Sequence, residues 1–250
     1  MGNPYFLRGV YRGLAASEVQ DLKSSDPHVL KSLTSKFRLV VFDLDGTLVD
    51  SRRDLAESAN QVLEQCGAAP LPEETIGRMV GDGAATLVAR VFTASTVPQP
   101  ADALSRFLVI YNSRLLRFTR PYSGIPEVLD GLRSRVMLAV LTNKPVAATR
   151  SILEGLHLSG YFDDRVLGGD GPFPRKPQPA GLHHLIATAG VTPSTTVLVG
   201  DSVIDWRTAH AASAISCVAR YGFGYDGFPT DLLHAHDLLI DRPDQLPALL

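Results

Sequence analysis

Short runs of apolar residues alternate with helical patterns along most of this chain, and this alternation restricts its fold more than any other feature. Runs such as VVF and TVLV lack the polar alternation of a half-exposed strand, which predicts strands buried on both faces. Strand-like runs lie near 38–43, 136–142, 165–168, 196–200 and 215–219, with a weaker one near 237–240. Helical patterns lie between them, for example at 145–156, 178–189 and 205–213. We therefore predict an α/β fold, a Rossmann-like parallel sheet covered by helices on both faces.

One interval breaks the alternation. Residues 53–120 show no clear strand but contain helical patterns such as DLAESANQVLEQCG and ALSRFLVIYNSRLLRF. A helical insert that leaves after the first strand and returns before the second explains this with the fewest elements. We predict a partly helical N-terminal extension at 1–36, a core at 37–52 and 121–250, and a small all-α cap at 53–120.

The charge balance, the apolar stretches and the cysteine count restrict which partners and which cell compartment the protein can have. The 250 residues carry 24 basic and 26 acidic side chains, so no basic excess favours binding to nucleic acid or to a membrane surface. The longest apolar stretches are strand-sized and too short to cross a bilayer. Two cysteines are too few for a disulfide framework and are typical of a reducing compartment, which predicts a cytoplasmic protein.

The motif DLDGT ends the first strand with two carboxylates, Asp43 and Asp45. Residues two apart in a strand share one face, so both side chains are expected to reach one pocket, and Gly46 allows a sharp turn after them. A calcium loop of the EF-hand type is disfavoured, because its last ligand should be Glu where this chain has Asp54, and helices should flank it. Two solvated turn aspartates remain as the alternative.

Three further motifs follow later strands. LTNKP places Thr142 at a strand end, RKPQP places Lys176 in a loop stiffened by prolines, and VLVGDSVIDWRTA places Asp201 and Asp205 where a strand gives way to a helix. Taken singly, each has a structural interpretation: a helix cap at Thr142, a solvated loop lysine, and two aspartates that cap a helix.

Taken together, the motifs predict one charged pocket. In an open parallel sheet, sites lie beyond the carboxyl ends of the strands, where all of these side chains would fall. Four carboxylates in one pocket repel one another and require a cation, and Mg²⁺ is the hard ion that oxygen ligands suit. Thr142 and Lys176 supply donors and positive charge for an anion beside it. Carboxylates, Mg²⁺ and an anion cradle together indicate phosphoryl transfer.

The order of DLDGT, Thr142, Lys176 and GDSVID resembles the haloacid-dehalogenase superfamily of phosphatases. The resemblance covers residues 38 to about 245, and the predicted insert resembles the small helical cap of that family. Within the insert, MVGDGAATLVAR looks like the phosphoglycolate-phosphatase branch, as does LTNKP.

The resemblance implies roles for the acidic residues. Asp43 would be the nucleophile that forms an aspartyl phosphate, and Asp45 would be the general acid and base. Mg²⁺ would be held by the Asp43 side chain, the Asp45 backbone carbonyl and Asp201. Asp205 would act through its neighbours by fixing this arrangement.

The resemblance also implies that Thr142, the backbone N–H of Asn143, and Lys176 bind the phosphoryl oxygens. The cap would close over the site and read the leaving group. Its candidate residues are Gly81, Gly83 and Arg90. The alternatives are that the glycines punctuate helices and that the arginine lies exposed on one.

The predicted function is a Mg²⁺-dependent phosphatase acting on a small phosphomonoester, with 2-phosphoglycolate as the best candidate. A sugar-phosphate mutase or a pyrophosphatase of the same superfamily is the alternative, and a non-catalytic binding protein on the same fold is a third. The expected partner is a small phosphate ester, with neither nucleic acid nor membrane. The sequence leaves monomer and homodimer both open.

Overall fold

A computed structural model describes residues 36–250. The predicted N-terminal extension at 1–36 therefore lies outside the described residues, apart from its last one. The described strands, in chain order, are β1 Leu39–Phe42, β2 Val49–Asp50, β3 Arg120–Pro121, β4 Met137–Leu141, β5 Val166–Leu167, β6 Thr196–Gly200, β7 Ile215–Ala219 and β8 Leu238–Ile240. The described α-helices are α1 Arg52–Gln65, α2 Glu73–Gly77, α3 Ala84–Ser95, α4 Ala103–Asn112, α5 Ile125–Leu132, α6 Val146–Gly155, α7 Ala180–Thr188, α8 Val203–Ala211 and α9 Leu246–Leu249.

Six strands form one parallel sheet in the order β5-β4-β1-β6-β7-β8. Strand β1 is central, and Leu39 pairs with Met137 on one side and with Thr196 on the other. All six predicted strand positions carry strands, and α-helices connect them in chain order except between β7 and β8. The α/β fold predicted from the alternation is confirmed.

The apolar strand β1 serves two cores at once. Val40 and Phe42 pack on one face of the sheet, in a cluster that also holds residues of α5 and α6. Leu39 and Val41 pack on the opposite face, in a cluster with residues of α7 and α8. Because alternate strand residues point to opposite faces, a strand with helices on both sides must be apolar throughout.

Helices α1 to α4 lie between β2 and β3 and have a core of their own. Leu55, Ala59 and Leu63 repeat every four residues along α1, so they share one face, and they pack in a cluster with residues of α3 and α4. We call residues 52–119 the helical insert. The division into a core at 37–52 and 121–250 and a cap at 53–120 stays a prediction.

The insert leaves and rejoins the sheet region through one short antiparallel pair. Val49 pairs with Pro121 and Asp50 with Arg120, so the two connecting strands lie side by side. The sequence did not predict β2 and β3, because two residues are too few to show a period. The pairing explains how a segment of this length can be inserted without disturbing the order of the larger sheet.

Within residues 36–250, none of the helices combines the length and apolar character that crossing a membrane requires.

Both cysteines are free thiols. Cys217 is buried in β7, and burial raises the pKa of its thiol to about 12, so it stays protonated and unreactive at neutral pH.

The insert core can be tested by removing one buried side chain. Leu63→Ala should lower the free energy of unfolding by about 2–5 kcal/mol, because it removes a fully buried leucine and leaves a cavity. The matched control is Glu64→Ala, at the neighbouring exposed position, which should change it by no more than about 0.5 kcal/mol. Denaturant unfolding measures both, and equal effects in the two variants would contradict the packing described.

Candidate active site

Three neighbouring strands end at the same edge of the sheet, and a polar side chain follows each. Asp43 follows β1, Thr142 follows β4 and Asp201 follows β6. Because β4, β1 and β6 are adjacent and parallel, their carboxyl ends bring residues that are far apart in sequence into one place. All three side chains are buried.

Three carboxylates meet at this edge. Oxygens of Asp43, Asp201 and Asp205 lie within 4.8 Å of one another. Lys176 is buried beside them, with its Nζ 2.8 Å from Asp43 Oδ1 and 2.6 Å from Asp205 Oδ1. Three carboxylates and one ammonium give a formal charge of −2, since −3 plus +1 is −2.

The local charges are reflected in the pKa values. Burial raises the pKa of Asp43 to about 6, against the opposing attraction of Lys176. Burial, with repulsion from Asp205 and Asp43, raises the pKa of Asp201 well above its usual value. Burial disfavours the charged form of Lys176, but Asp205 and Asp43 outweigh it, and the pKa of the lysine is raised.

This donor set fits a divalent cation with oxygen ligands. A charge of +2 would offset the excess of carboxylate charge and favour the ionised form of each carboxylate, against the effect of burial on their pKa values. Asp43 Oδ1 is buried, and the Lys176 ammonium at 2.8 Å leaves it with lone-pair capacity to spare. An oxygen in that state is available as a ligand. Mg²⁺ and Mn²⁺ are the ions that suit carboxylate oxygens.

Asp205 uses its two oxygens for two purposes. Ser202, the residue before α8, donates its backbone N–H and its hydroxyl to Asp205 Oδ2, at 3.2 and 2.6 Å. Oδ1 accepts a hydrogen bond from Lys176. The capping interpretation of this aspartate is therefore correct, and the same side chain also holds the site lysine in position.

Glycines make room for Asp201. Gly46 has φ +88°, a conformation that favours glycine, and a Cβ at this position would lie 1.8 Å from Asp201 Oδ2. The backbone N–H of Gly224 donates to the same Oδ2 at 2.7 Å. Gly224 lies in the loop after β7, and the structure places this loop against the Asp201 carboxylate.

The carboxylate of Asp45 has different partners. It accepts a hydrogen bond from the Ser51 hydroxyl at 2.5 Å, and the Lys144 ammonium lies 3.2 Å from it. Lys144 also donates to the hydroxyl of Tyr111, in α4 of the insert, at 2.6 Å. Burial disfavours the charge on Lys144, but Asp45 and Tyr111 outweigh it and raise the pKa of the lysine.

The sequence analysis missed Ser51, Lys144 and Tyr111. Lys144 stands inside LTNKP, so its place in a site motif was a signal that was not used. Ser51 and Tyr111 carried no signal, because they follow no strand of the main sheet and match no motif. Tyr111 reaches the site only because the insert packs over the sheet edge.

Asn143 joins three segments. Its side-chain amide donates to the carbonyl of Gly81 at 2.8 Å and to that of Lys176 at 2.9 Å. The side-chain oxygen Oδ1 of Asn143 accepts a hydrogen bond from the backbone N–H of Lys176 at 2.9 Å. Asn143 was predicted to bind through its backbone, and the structure adds that its side chain links the loop after β4 to the Lys176 loop and to the insert.

A cavity of about 570 Å³ lies between the sheet edge and the insert. Its polar end includes Asp43, Asp45, Asp201 and Thr142. Its apolar end comes largely from the insert and includes Leu55, Val80, Leu87, Phe107, Leu108 and Leu115. Among the described residues that line it, Lys144 is the one with a basic side chain.

The cap candidates differ in position. Gly81 and Gly83 line the cavity and have positive φ values, +124° and +90°. Arg90 does not line it. Its guanidinium pairs with Asp82 at 2.6 Å and donates to the carbonyl of Met79 at 2.9 Å, on the exposed side of α3. The structure therefore gives Arg90 no contact with the cavity and agrees with the interpretation as an exposed helix arginine.

A sequence model of the haloacid dehalogenase-like hydrolases matches residues 40–219, which include all of the acidic residues described above. The chain belongs to this family. The resemblance to the superfamily is thereby confirmed, and the chain is a hydrolase of the phosphatase kind.

Curated relatives support the phosphoglycolate-phosphatase-like branch. A phosphoglycolate phosphatase of Rhodospirillum rubrum is 41% identical over 195 residues, which cover 74% of this chain and 80% of the relative. A plasmid-encoded phosphoglycolate phosphatase of Cupriavidus necator is 38% identical over 215 residues, 84% of this chain and 92% of the relative.

Solved structures have the same fold. A predicted phosphoglycolate phosphatase from Haemophilus somnus superposes with a TM-score of 0.80 at 29% identity, covering 86% of this chain and 99% of that one. A putative phosphoglycolate phosphatase from Lactobacillus delbrueckii gives a TM-score of 0.75 at 26% identity, covering 85% and 98%.

The need for glycine at position 46 can be tested by comparison with a glycine where an added Cβ would meet no other atom. Gly46→Ala should lower kcat/KM by at least about 100-fold, because the new Cβ displaces Asp201 and strains the turn. The control is Gly131→Ala in α5, where nothing lies within 4 Å of the added Cβ, and it should leave kcat/KM unchanged. Phosphate release from the fastest substrate measures both, and normal turnover in Gly46→Ala would contradict the geometry.

Proposed function

We propose that the protein is a Mg²⁺-dependent phosphatase that hydrolyses 2-phosphoglycolate through an aspartyl phosphate on Asp43. The observation that carries this proposal is a pair of carboxyl groups two residues apart, Asp43 and Asp45, which line one cavity but contact different cations. The two can therefore take different chemical roles. The substrate is suggested by the names of the relatives.

Mg²⁺ would be held by the side chains of Asp43 and Asp201 and by the backbone carbonyl of Asp45. When bound, it would offset the negative charge that carboxylates and a phosphate bring together. The cluster of carboxylate oxygens described above supports this assignment. Asp205 would keep Lys176 aimed at Asp43 through the ion pairs that it already makes.

In the first half-reaction, a carboxylate oxygen of Asp43 attacks phosphorus and the bond from phosphorus to the leaving oxygen breaks. Asp45 gives its proton to that oxygen, so the product leaves as an alcohol. One carboxyl group could not both attack and protonate. The hydrogen bond from Ser51 and the ion pair with Lys144 hold the second carboxyl group in place for this proton transfer.

In the second half-reaction, Asp45 takes a proton from a water molecule that attacks phosphorus. The bond between phosphorus and the Asp43 oxygen breaks, which releases inorganic phosphate and restores the carboxylate. The Thr142 hydroxyl, the backbone N–H of Asn143 and the Lys176 ammonium would bind the phosphoryl oxygens in both steps. Thr142 and Lys176 are buried at the sheet edge beside Asp43, which supports their part in this cradle.

The helical insert would act as a cap that excludes water, with movement at the linkers near 50–54 and 119–124. Asn143 and Lys144 contact the insert through Gly81 and Tyr111. Movement of the insert would therefore shift the same loop that binds phosphate. Lys144 would also meet the carboxylate of 2-phosphoglycolate, because an ammonium has three donors and two are used by Asp45 and Tyr111.

The reported relatives are phosphatases by name, and no described residue favours a sugar-phosphate mutase, a pyrophosphatase or a non-catalytic binding protein over this proposal.

We also propose a cytoplasmic location, which the two free thiols support.

A substrate panel tests the proposal as a whole. Phosphate release is measured from 2-phosphoglycolate, sugar phosphates, nucleotides and pyrophosphate, with and without Mg²⁺. We expect release to require Mg²⁺ and kcat/KM to favour 2-phosphoglycolate by at least about 10-fold. Broad, weak hydrolysis would refute the substrate, and no release by folded protein would refute the activity.

The nucleophile has its own test. Asp43→Asn should lower kcat by at least about 1,000-fold, because an amide oxygen does not form the acyl phosphate. Its thermal stability should not fall, since burial and repulsion from Asp205 outweigh the attraction of Lys176 and raise the pKa of Asp43 to about 6, so loss of the charge relieves a net penalty. The control is Asp164→Asn at an exposed position, which should keep full turnover. Retained turnover in Asp43→Asn would remove the aspartyl phosphate from the mechanism.

The role of Lys144 is tested by a ratio. In Lys144→Met, kcat/KM for 2-phosphoglycolate should fall at least about 10-fold more than kcat/KM for ethyl phosphate, which has no carboxylate. The ratio separates recognition of the carboxylate from a general effect on Asp45, which would lower both values equally. Lys36→Met, at an exposed lysine, is the control. An unchanged ratio would argue against this contact.

A further inference from the structure

Three histidines converge on one patch that is separate from the cavity. His210 lies on α8, and His234 and His236 lie in the loop that leads to β8. Their ring centroids are 4.6, 5.4 and 5.7 Å apart. One ring nitrogen of each lies within 4.8 Å of the others. None of the three lines the active-site cavity.

A buried carboxylate stands behind this cluster. Asp237 Oδ1 lies 2.9 Å from Nε2 of His210. Asp237 Oδ2 accepts hydrogen bonds from the Trp206 indole and from the backbone N–H of His234, each at 2.8 Å. Burial acts to raise the pKa of Asp237, but these hydrogen bonds outweigh it and lower the pKa on balance. Asp237 thus ties the loop that carries His234 to α8, the helix that carries Trp206 and His210.

The carboxylate sets the state of His210. Nε2 lies 2.9 Å from Asp237 Oδ1, and when it donates that hydrogen bond the proton of a neutral His210 is on Nε2. The lone pair is then on Nδ1, free for a ligand. A histidine that donates one ring N–H to a carboxylate and binds metal through the other nitrogen is a common arrangement in metal sites. The ring is further held by its contact with Trp206, at 4.1 Å between centroids and with the two ring planes tilted by 33°.

The other two histidines can adjust to a ligand. His234 and His236 are exposed, so neither ring is needed to fill a core. A tetrahedral metal with bonds of about 2.0–2.1 Å to nitrogen holds its ligand atoms about 3.3 Å apart, so three nitrogens that lie within 4.8 Å of one another must approach that separation. Rotation of two exposed rings toward a fixed third can supply that approach. Three of the chain's seven histidines lie in this patch, and the loop around two of them is anchored by Asp237.

We propose that His210, His234 and His236 form a second metal site, selective for a divalent transition ion such as Zn²⁺, with Asp237 orienting His210. Neutral imidazole nitrogen suits zinc, copper and nickel, whereas Mg²⁺ requires oxygen ligands. Water would complete the coordination, since the patch is open to solvent. A bound ion would fasten the loop before β8 to α8, the helix whose first turn carries Asp205.

The test is a zinc titration of the full chain. Protein without an affinity tag, stripped of metal, competes with a chromophoric chelator for Zn²⁺ in millimolar Mg²⁺, which occupies the carboxylate site. We expect one Zn²⁺ per chain. His236→Ala should weaken binding at least about 10-fold, and the His234→Ala/His236→Ala double variant should lose it. His183→Ala, which removes an exposed histidine of α7, should bind as the wild type does.

Two further readouts make the result decisive. Zn²⁺ should raise the Tm of the wild type but not of the double variant. The double variant should keep wild-type Mg²⁺-dependent phosphate release, so this site and the proposed phosphatase activity can fail separately. The proposal is overturned if the wild type takes up no Zn²⁺ from the chelator. It is equally overturned if the double variant binds Zn²⁺ as tightly as the wild type, because the ion would then sit elsewhere.

Discussion

The arrangement of this protein depends on burying three carboxylates at one sheet edge with a single ammonium beside them. Asp43, Asp201 and Asp205 would repel one another strongly there without Lys176, which pairs with two of them. Buried charges persist only when they are paired and hydrogen-bonded, or neutralised by a metal. The remaining excess of negative charge is what makes this edge suited to a divalent cation.

Much of the surrounding structure holds that lysine and those carboxylates in place. Asn143 binds the backbone of Lys176 through both ends of its amide, and Ser202 binds one oxygen of Asp205. Gly46 leaves space for Asp201. These contacts come from four separate segments, so a small displacement of any one of them changes the geometry of the carboxylates and the lysine.

The loop after β4 also connects the sheet edge to the helical insert. Asn143 contacts Gly81, and Lys144 contacts Tyr111, at neighbouring positions of one loop. The cavity is consequently polar where the strands end and apolar where the insert covers it. Such a cavity suits a ligand that is charged at one end and contacts the insert at the other.

The strands and the acidic residues could be predicted because both are recognisable in a short stretch of sequence. Asp43 and Asp201 directly follow apolar runs, and parallel strands that end together bring such residues together without further information. Ser51 and Tyr111 could not be predicted, because their place in the site follows from how the insert packs. The histidine patch likewise joins α8 to a loop more than twenty residues later, and no spacing of histidines in the sequence predicts it.

The sequence by itself determined the fold class, the sheet edge that holds the site, and the acidic residues there, because strand period and strand ends are local properties of a chain. Only the tertiary structure decided the partner of each charge. It separated Asp45, which contacts Lys144, from Asp43, which contacts Lys176, and it turned Arg90 away from the cavity. Ion pairs and cavities depend on distances between segments remote in sequence, and packing alone sets those distances.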